Sequence, residues 1–368
     1  MKKILLIVVC ILLVIHGYRT ANDAGIFRSV EQTKGYEQCV AYDVIGAEDL
    51  SIDHASGIAY IAAEDRHAYM AGTAAYKNKD YESSKEDYPN GAIWTLDLKD
   101  PTSVPVKLKM DIEGAFHPHG ISLLFSDIDS ADKGRAVELY VINHKNASES
   151  EVSIFTILPS GSLSLRRRVS YPELISPNDI TVFAQDQFFA SNDHGYPRLG
   201  IMEVLEDYLG LPLSSISYFD GSTGSIVIDG LRYANGLTLS KDLKTLYVAE
   251  TTKRVVSRFD QNGKMSDWAF KDSINVNSNV DNLEWSDDGY LMIGSHPKIF
   301  DFVAHAKDTS KHSPSEVIRV NVEGEVMTYE SIYLNSGEQI SGSSVASSYQ
   351  NQLLIGPVID DHFIRCKI

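Results

Sequence analysis

Six times along the chain a polar residue or polar pair opens a short run of alternating apolar and polar positions. A polar stretch then turns the chain, and a more apolar run returns. The segments are EDLSIDHASGIAYIAA from Glu48, HGISLLFSDIDSADKGRAVELYVINH from His119, NDITVFAQDQFFASNDH from Asn178, NGLTLSKDLKTLYVAE from Asn235, DNLEWSDDGYLMIGSHP from Asp281 and GSSVASSYQNQLLIGPV from Gly342. Alternation with period two marks a strand with one face buried, and the turn residues between runs make each segment a hairpin. Successive starts lie 71, 59, 57, 46 and 61 residues apart, which leaves room for two further strands per unit, such as RVVSRFDQNGKMSDWAF after the fourth. Repetition of this kind predicts an all-β fold, a six-bladed β-propeller of four-stranded blades closing radially on itself.

Helical patterning is confined to two places. IMEVLEDYLGLP carries apolar residues at 201, 204, 205, 208 and 209 and stops at Gly210 and Pro212. It predicts a short accessory helix, expected to pack its apolar face on the ring, with membrane contact as the alternative. At the N-terminus Lys2-Lys3 precede the apolar run ILLIVVCILLVI from Ile4 to Ile15. Charge order and length are those of a signal peptide, and the run is shorter than the roughly 20 residues that span a bilayer. The chain accordingly divides into residues 1–20, a signal peptide or a retained hydrophobic anchor helix, a connector over 21–38, and a propeller over 39–368. A secreted or extracellular membrane-associated protein is expected, with membrane or lipid association through the N-terminal segment.

Cysteine usage agrees with export. Cys10 lies in the leader, which leaves Cys39 and Cys366 at the two ends of the propeller. An oxidising compartment lets these two pair, the alternative being two unpaired thiols. Asn146-Ala147-Ser148 is a sequon and makes Asn146 a potential glycosylation site.

With 368 residues and 43% apolar content the chain can bury a large core. Its net charge of -17 argues against a nucleic-acid partner and is permissive for cations. That charge matters at the repeat starts. If each repeat begins at an equivalent point of its blade, Glu48-Asp49, His119, Asn178-Asp179, Asn235, Asp281-Asn282 and Ser343-Ser344 ring one end of the central channel. Carboxylates gathered in a narrow channel repel one another and lose hydration unless a cation compensates them. Carboxylate and amide oxygens without a cysteine cluster suit Ca²⁺. Because neighbouring strand residues point to opposite sides, the doublets suggest two ions. Glu48, Asn178, Asn235, Asp281 and Asn282 would hold one, and Asp49 and Asp179 the other. The competing reading is plain turn chemistry.

Histidines gather at the same end. A hairpin that starts at the ring finishes beside it, which brings His144 next to His119 and places Asp193-His194 and His296 on this face. An imidazole beside a metal can take a proton from water near neutral pH. His117 reads as a loop residue shaped by Pro118.

The ordered strings EDL at 48–50, FHPHGIS at 116–122, INH at 142–144, PNDI at 177–180, SNDH at 191–194, ANGL at 234–237, VDN at 280–282, GSHP at 294–297 and GSSVAS at 342–347 resemble the serum paraoxonase and arylesterase family. The likeness runs from about Cys39 to Cys366. It implies a six-bladed propeller with a catalytic and a structural Ca²⁺, a disulfide joining the ends, and a retained hydrophobic N-terminus. It implies hydrolysis of lactones, with aryl esters and organophosphates as further substrates in many members. Carried over, Glu48, Asn178, Asn235, Asp281 and Asn282 would hold the catalytic calcium, and Asp49, Asp179 and the backbone carbonyl of Ile121 the structural one. His119 would be the base and His144 its partner, with Tyr233, His194 and His296 lining the substrate pocket. Ser295 stands where the family often has cysteine, so no thiol chemistry is assigned there. The loop AYMAGTAAYKNKDYESSKEDYPNG, between Glu64 and Trp94, is longer than the family's and expected to overhang the site. Two other functions compete: a calcium-braced propeller that only binds a ligand or protein, and a sugar-lactone hydrolase.

Overall fold

Strand β1 (Cys39–Tyr42) is followed by six radial units. The first blade is β2 (Ala47–Asp53), β3 (Ile58–Ala63), β4 (Ala92–Asp97) and β5 (Val106–Lys107). The second is β6 (Pro118–Phe125), β7 (Ala136–Asn146), β8 (Glu149–Ile157) and β9 (Leu163–Val169). The third is β10 (Pro177–Ala184), β11 (Gln187–Asn192), β12 (Ser214–Phe219) and β13 (Gly224–Leu231). The fourth is β14 (Ala234–Leu239), β15 (Thr245–Glu250), β16 (Val255–Lys264) and β17 (Asp267–Asn275). The fifth is β18 (Asn279–Trp285), β19 (Leu291–His296), β20 (Ser315–Asn321) and β21 (Thr328–Asn335), and the sixth begins with β22 (Ser343–Tyr349), β23 (Gln352–Pro357) and β24 (Phe363–Lys367). Each blade is an antiparallel meander of four strands, and the sixth takes β1 as its outer strand, in the order β1-β24-β23-β22. This computed structural model describes residues 2–30, 38–69, 90–127, 134–146, 148–197 and 201–368. Most of the long loop expected to overhang the site, residues 70–89, lies outside the described residues.

The core lies between blades. Leu50, Ile52 and Leu96 of the first blade pack with Val345, Leu354 and Phe363 of the sixth. Ile216 and Leu231 of the third meet Leu237, Val248 and Phe259 of the fourth. Each such fully buried side chain contributes about 1.5–3 kcal/mol, and the near-continuous apolar runs of the second strands, such as IAYIAA and TLYVAE, supply them on both blade faces. The ring is closed where the ends meet: Cys39 lies opposite Cys366 across the β1–β24 ladder, and the two are joined by a disulfide, S–S 2.01 Å.

The N-terminal helix α1 spans Lys2–Asp23, three residues into the segment expected to be connector. Its described apolar side chains, among them Ile4, Ile7, Ile11 and Val14, are exposed. No helix among the described residues is long and apolar enough to cross a membrane. The connector docks as soon as the helix ends. Arg254 Nη1 donates to the Asn22 carbonyl at 2.7 Å and Ile299 N–H to that of Ala24 at 3.1 Å, while Arg28 grips Glu316 with two bonds of 2.8 and 2.7 Å.

The accessory helix α2 (Ile201–Leu209) forms where expected, but with its faces reversed. Ile201, Val204, Leu205, Tyr208 and Leu209 are exposed, so the apolar stripe does not pack on the ring. Polar contacts turn the other side inward: buried Glu206 accepts the Gly195 N–H at 3.1 Å, and Asp207 accepts from His194 at 3.0 Å. A further helix, α3 (Ile299–Lys307), follows Pro297 and was not anticipated. Its apolar spacing at 299, 302 and 303 is the available signal.

Candidate active site

Every inner strand breaks register where its polar pair stands. The shifts fall between Ala47 and Asp49, Pro118 and Ile121, Pro177 and Ile180, Ala234 and Leu237, Val280 and Leu283, and Ser343 and Val345. A bulge inserts an unpaired residue and re-aims the side chains beside it. Asp281 and Asn282 are thereby released from the strict alternation that would point them apart. Two glycines let neighbouring bulges nest. A Cβ on Gly120 would lie 2.5 Å from the Asp179 Cα, and one on Gly236 would lie 2.4 Å from the Leu283 nitrogen and 2.6 Å from the Asn282 Cα. His119-Gly120 and Asn235-Gly236 are pairs for this reason: a candidate site side chain, then room for the next blade.

The bulges bring together Glu48, Asp49, Asn178, Asp179, Asn235, Asp281 and Asn282, each 5% exposed or less. Asn282 Nδ2 donates to Glu48 Oε1 at 3.1 Å, from the fifth blade to the first. Asp49 accepts from Ile121 N–H at 2.6 Å, and Asp179 accepts from Leu237 N–H at 2.9 Å. Burial raises the Asp49 carboxyl well above the ordinary range, and the nearby charges of Asp179, Glu48 and Glu284 add to it. Burial likewise raises Asp179 and, against the hydrogen bond from His296, Asp281. The amide oxygens of Asn178, Asn235 and Asn282 are buried and have no hydrogen-bond partner among the described residues. An orphaned buried carbonyl oxygen costs about 1–3 kcal/mol. Three of them beside crowded carboxyls form a donor set that fits a hard cation. Ser343 and Ser344 are occupied differently, bonding the backbone carbonyls of Ser295 and Glu48 at 3.1 and 2.6 Å.

His144 ends β7 as the hairpin argument requires, with its Nε2 3.1 Å from His119 Nδ1 and its Nδ1 2.8 Å from Ser150 Oγ. His119 Nε2 lies 3.3 Å from Glu48 Oε1. A basic residue that the repeat pattern did not flag completes this corner. Arg66, just beyond β3 and 6% exposed, donates to the Pro118 carbonyl at 2.8 Å and to Glu48 Oε2 at 3.3 Å, and its Nη1 stands 3.5 Å from His119 Nδ1. Burial by itself would raise the Glu48 carboxyl, but His119, Arg66 and the Asn282 hydrogen bond outweigh it and bring it down to about 2. His117 is a buried member of the same corner: its Nδ1 bonds Glu64 Oε1, and its ring packs on Tyr69 with centroids 4.4 Å apart.

The other histidines are already engaged. His296 Nε2 lies 2.8 Å from Asp281 Oδ2, and its ring stacks on Phe302 of α3 at 4.1 Å. His194 is held at both nitrogens, by Asp193 at 2.9 Å and Asp207 at 3.0 Å. Burial lowers its basicity, yet the two carboxylates raise it to about 10. Tyr233 meets His194 edge to face, centroids 5.0 Å apart, from a left-handed backbone position, φ 52°. Asn146 is exposed and caps a turn through bonds to Ser148 and Glu149.

A propeller that gathers acids, amides and paired imidazoles at one end of its channel is built like a hydrolase. The chain belongs to the arylesterase family, whose model, described as Arylesterase, matches residues 82–367. It is 30% identical over 347 residues to serum paraoxonase/lactonase 3 of Oryctolagus cuniculus, covering 92% of this chain and 90% of that one. To serum paraoxonase/arylesterase 1 of Homo sapiens it is 32% identical over 326 residues, covering 85% and 83%. Among solved structures, the aldose sugar dehydrogenase of Streptomyces coelicolor superposes with a TM-score of 0.51 at 11% identity, covering 92% of this chain and 98% of that one. That likeness concerns the fold alone.

Proposed function

We propose that the chain is a calcium-dependent hydrolase of lactones and aryl esters, acting outside the cell in secreted or membrane-associated form. The observation that carries this reading is the contact between His119 and His144 beside three orphaned amide oxygens and the Glu48 and Asp281 carboxylates. Family membership adds the chemistry: relatives at about this identity are named for paraoxonase, arylesterase and lactonase activity.

Glu48, Asn178, Asn235, Asp281 and Asn282 would hold the catalytic calcium, and Asp49, Asp179 and the Ile121 carbonyl a structural one. The bound metal supplies positive charge for the substrate's carbonyl oxygen. His119 takes a proton from water as the water oxygen bonds to the acyl carbon, and His144 stabilises the resulting imidazolium from 3.1 Å. The acyl carbon–oxygen bond then breaks, and the proton is delivered to the leaving alcohol or phenol oxygen. A lactone opens to its hydroxy acid. Arg66 and Glu48 brace His119, while Tyr233, His194 and His296 line the pocket. The exposed apolar side chains of α1 and the outward stripe of α2 support association with a lipid surface, and exposed Asn146 suits glycosylation.

The test is hydrolysis of a panel of aliphatic lactones, aryl esters and phosphotriesters with calcium present and after its verified removal. Turnover of lactones and aryl esters that disappears on calcium removal and returns on its readdition is expected. Undiminished turnover without calcium refutes the metal's role, and a stable calcium-loaded protein inactive on the whole panel refutes the hydrolase reading.

A further inference from the structure

An asparagine offers its oxygen to a cation only if its NH2 group is held elsewhere, because the two ends of the amide are nearly alike in shape and opposite in polarity. Asn282 is held in this way. Its Nδ2 donates to the Glu48 carbonyl and to Glu48 Oε1, both at 3.1 Å, and its buried oxygen has no hydrogen-bond partner among the described residues. Asn178 is held by a residue outside the candidate ligand set. Its Nδ2 donates to Asp193 Oδ2 at 3.4 Å, and its oxygen is left in the same condition. The β10–β11 hairpin makes this contact, since Pro177 pairs with Asn192 and Asp193 follows beside Asn178.

Asp193 is buried and fixed from several directions. Its N–H donates to the Ser176 carbonyl at 2.9 Å, and its carbonyl accepts the Ser214 hydroxyl at 2.6 Å. Oδ1 accepts from the Ser176 hydroxyl and from His194 Nδ1 at 2.9 Å, while His194 is anchored through Nε2 to Asp207 of α2 at 3.0 Å. With Oδ1 taken by two donors, Oδ2 is the oxygen that meets the Asn178 amide. An amide turned over would set its own oxygen against that carboxylate, acceptor against acceptor, and offer its NH2 group to the cation instead. An acid suits this place because three donors must be met by both oxygens. Resting on the calcium reading above, we infer that Asp193 is a positioning residue for the ion held by Asn178. It takes the NH2 group and so leaves the amide oxygen to the metal, with His194 and Asp207 bracing it.

The experiment uses the full chain purified in calcium, with release of the metal followed against a graded chelator series and circular dichroism as the measure of fold. Asp193→Asn keeps the shape, but its one oxygen serves Ser176 and His194, and its NH2 group then faces Asn178. The Asn178 amide must turn over, so calcium should be released at about 10–100-fold higher free concentration than in the parent, as when a ligand loses its supporting partner. Adding Asn178→Asp restores an oxygen for the ion and an acceptor for the new NH2 group, so release should return to within about threefold of the parent or become tighter. In the parent background the same Asn178→Asp sets two carboxylates side by side, and its gain there should be at least about tenfold smaller. Equal gains in the two backgrounds overturn the inference, because they report added charge alone. A folded Asp193→Asn chain with the parent's release curve overturns it too. If Asp193→Asn is obtained only unfolded, the double variant decides: folded with parental release supports the inference, and unfolded or weakly binding overturns it. A parent chain that binds no calcium overturns the calcium reading and this inference with it.

Discussion

Arg66→Met tests whether the guanidinium and the proposed calcium share one carboxylate, that of Glu48. The guanidinium lies 3.3 Å from Glu48, and both side chains are buried. At an effective dielectric of about 20, unit charges at that distance attract by about 5 kcal/mol. Desolvation opposes much of this, but removing one partner strands the other, which typically costs about 3–5 kcal/mol. Methionine replaces most of the buried stem, so little of the loss comes from packing. The calcium-free variant should therefore lose about 3–5 kcal/mol of stability. With calcium on Glu48 the metal supplies the missing charge, and the loss should shrink by about 2 kcal/mol or more. By linkage the variant must bind calcium more tightly by the same free energy, since calcium and the guanidinium repel across a shared ligand. Denaturant unfolding of parent and variant, each with chelator and with saturating calcium, closes this cycle. Equal destabilisation in both conditions refutes the reasoning, because it means that Arg66 and the cation do not meet at Glu48.

Three further outcomes follow. His119→Gln should lower kcat on a lactone by roughly 10²–10⁴-fold with calcium content unchanged, and His144→Gln by less; near-parental turnover in both moves the proton chemistry elsewhere. Unfolding temperature measured from pH 6 to 10 should report His194: its folded-state pKa of about 10 lies above the ordinary value of about 6.5, so its stabilisation is full below the lower figure and lost as pH rises through the higher one. Asp207→Asn should flatten that alkaline decline, and an unchanged profile removes His194 as its source. Cys39→Ser opens a span of 327 residues, for which the chain-entropy model gives about 6 kcal/mol. Because the four β1–β24 pairs still align the ends, a measured loss of about 3–5 kcal/mol by denaturant titration is expected.

The repeat made much of the molecule legible. Glu48, Asn178, Asn235 and Asp281 could be found because each occupies the same place in its unit, and His144 because a hairpin must return to where it began. The bulges were not legible, since period-two alternation describes a regular strand and would have pointed Asp281 and Asn282 to opposite sides. Arg66 and Glu64 lie off the repeat position, and only the fold in three dimensions brings them beside His119 and His117. For α2 the period identified an amphipathic helix but carried no statement of which side faces the protein. Glu206 and Asp207 decide that, through Gly195 and His194, residues placed by a different strand.

The closure in the sixth blade also orders events in time. β1, the earliest strand of the ring, pairs with β24, the latest, and Glu48 of the first blade is bonded through its backbone by Ser344 of the last. A growing chain can fold hairpins and blades as they emerge, but the circle of oxygen donors exists only when the final blade has been made. The candidate site is thus a record of completion: only a chain translated through β24, whose pairing with β1 closes the ring, presents all six bulges to one channel.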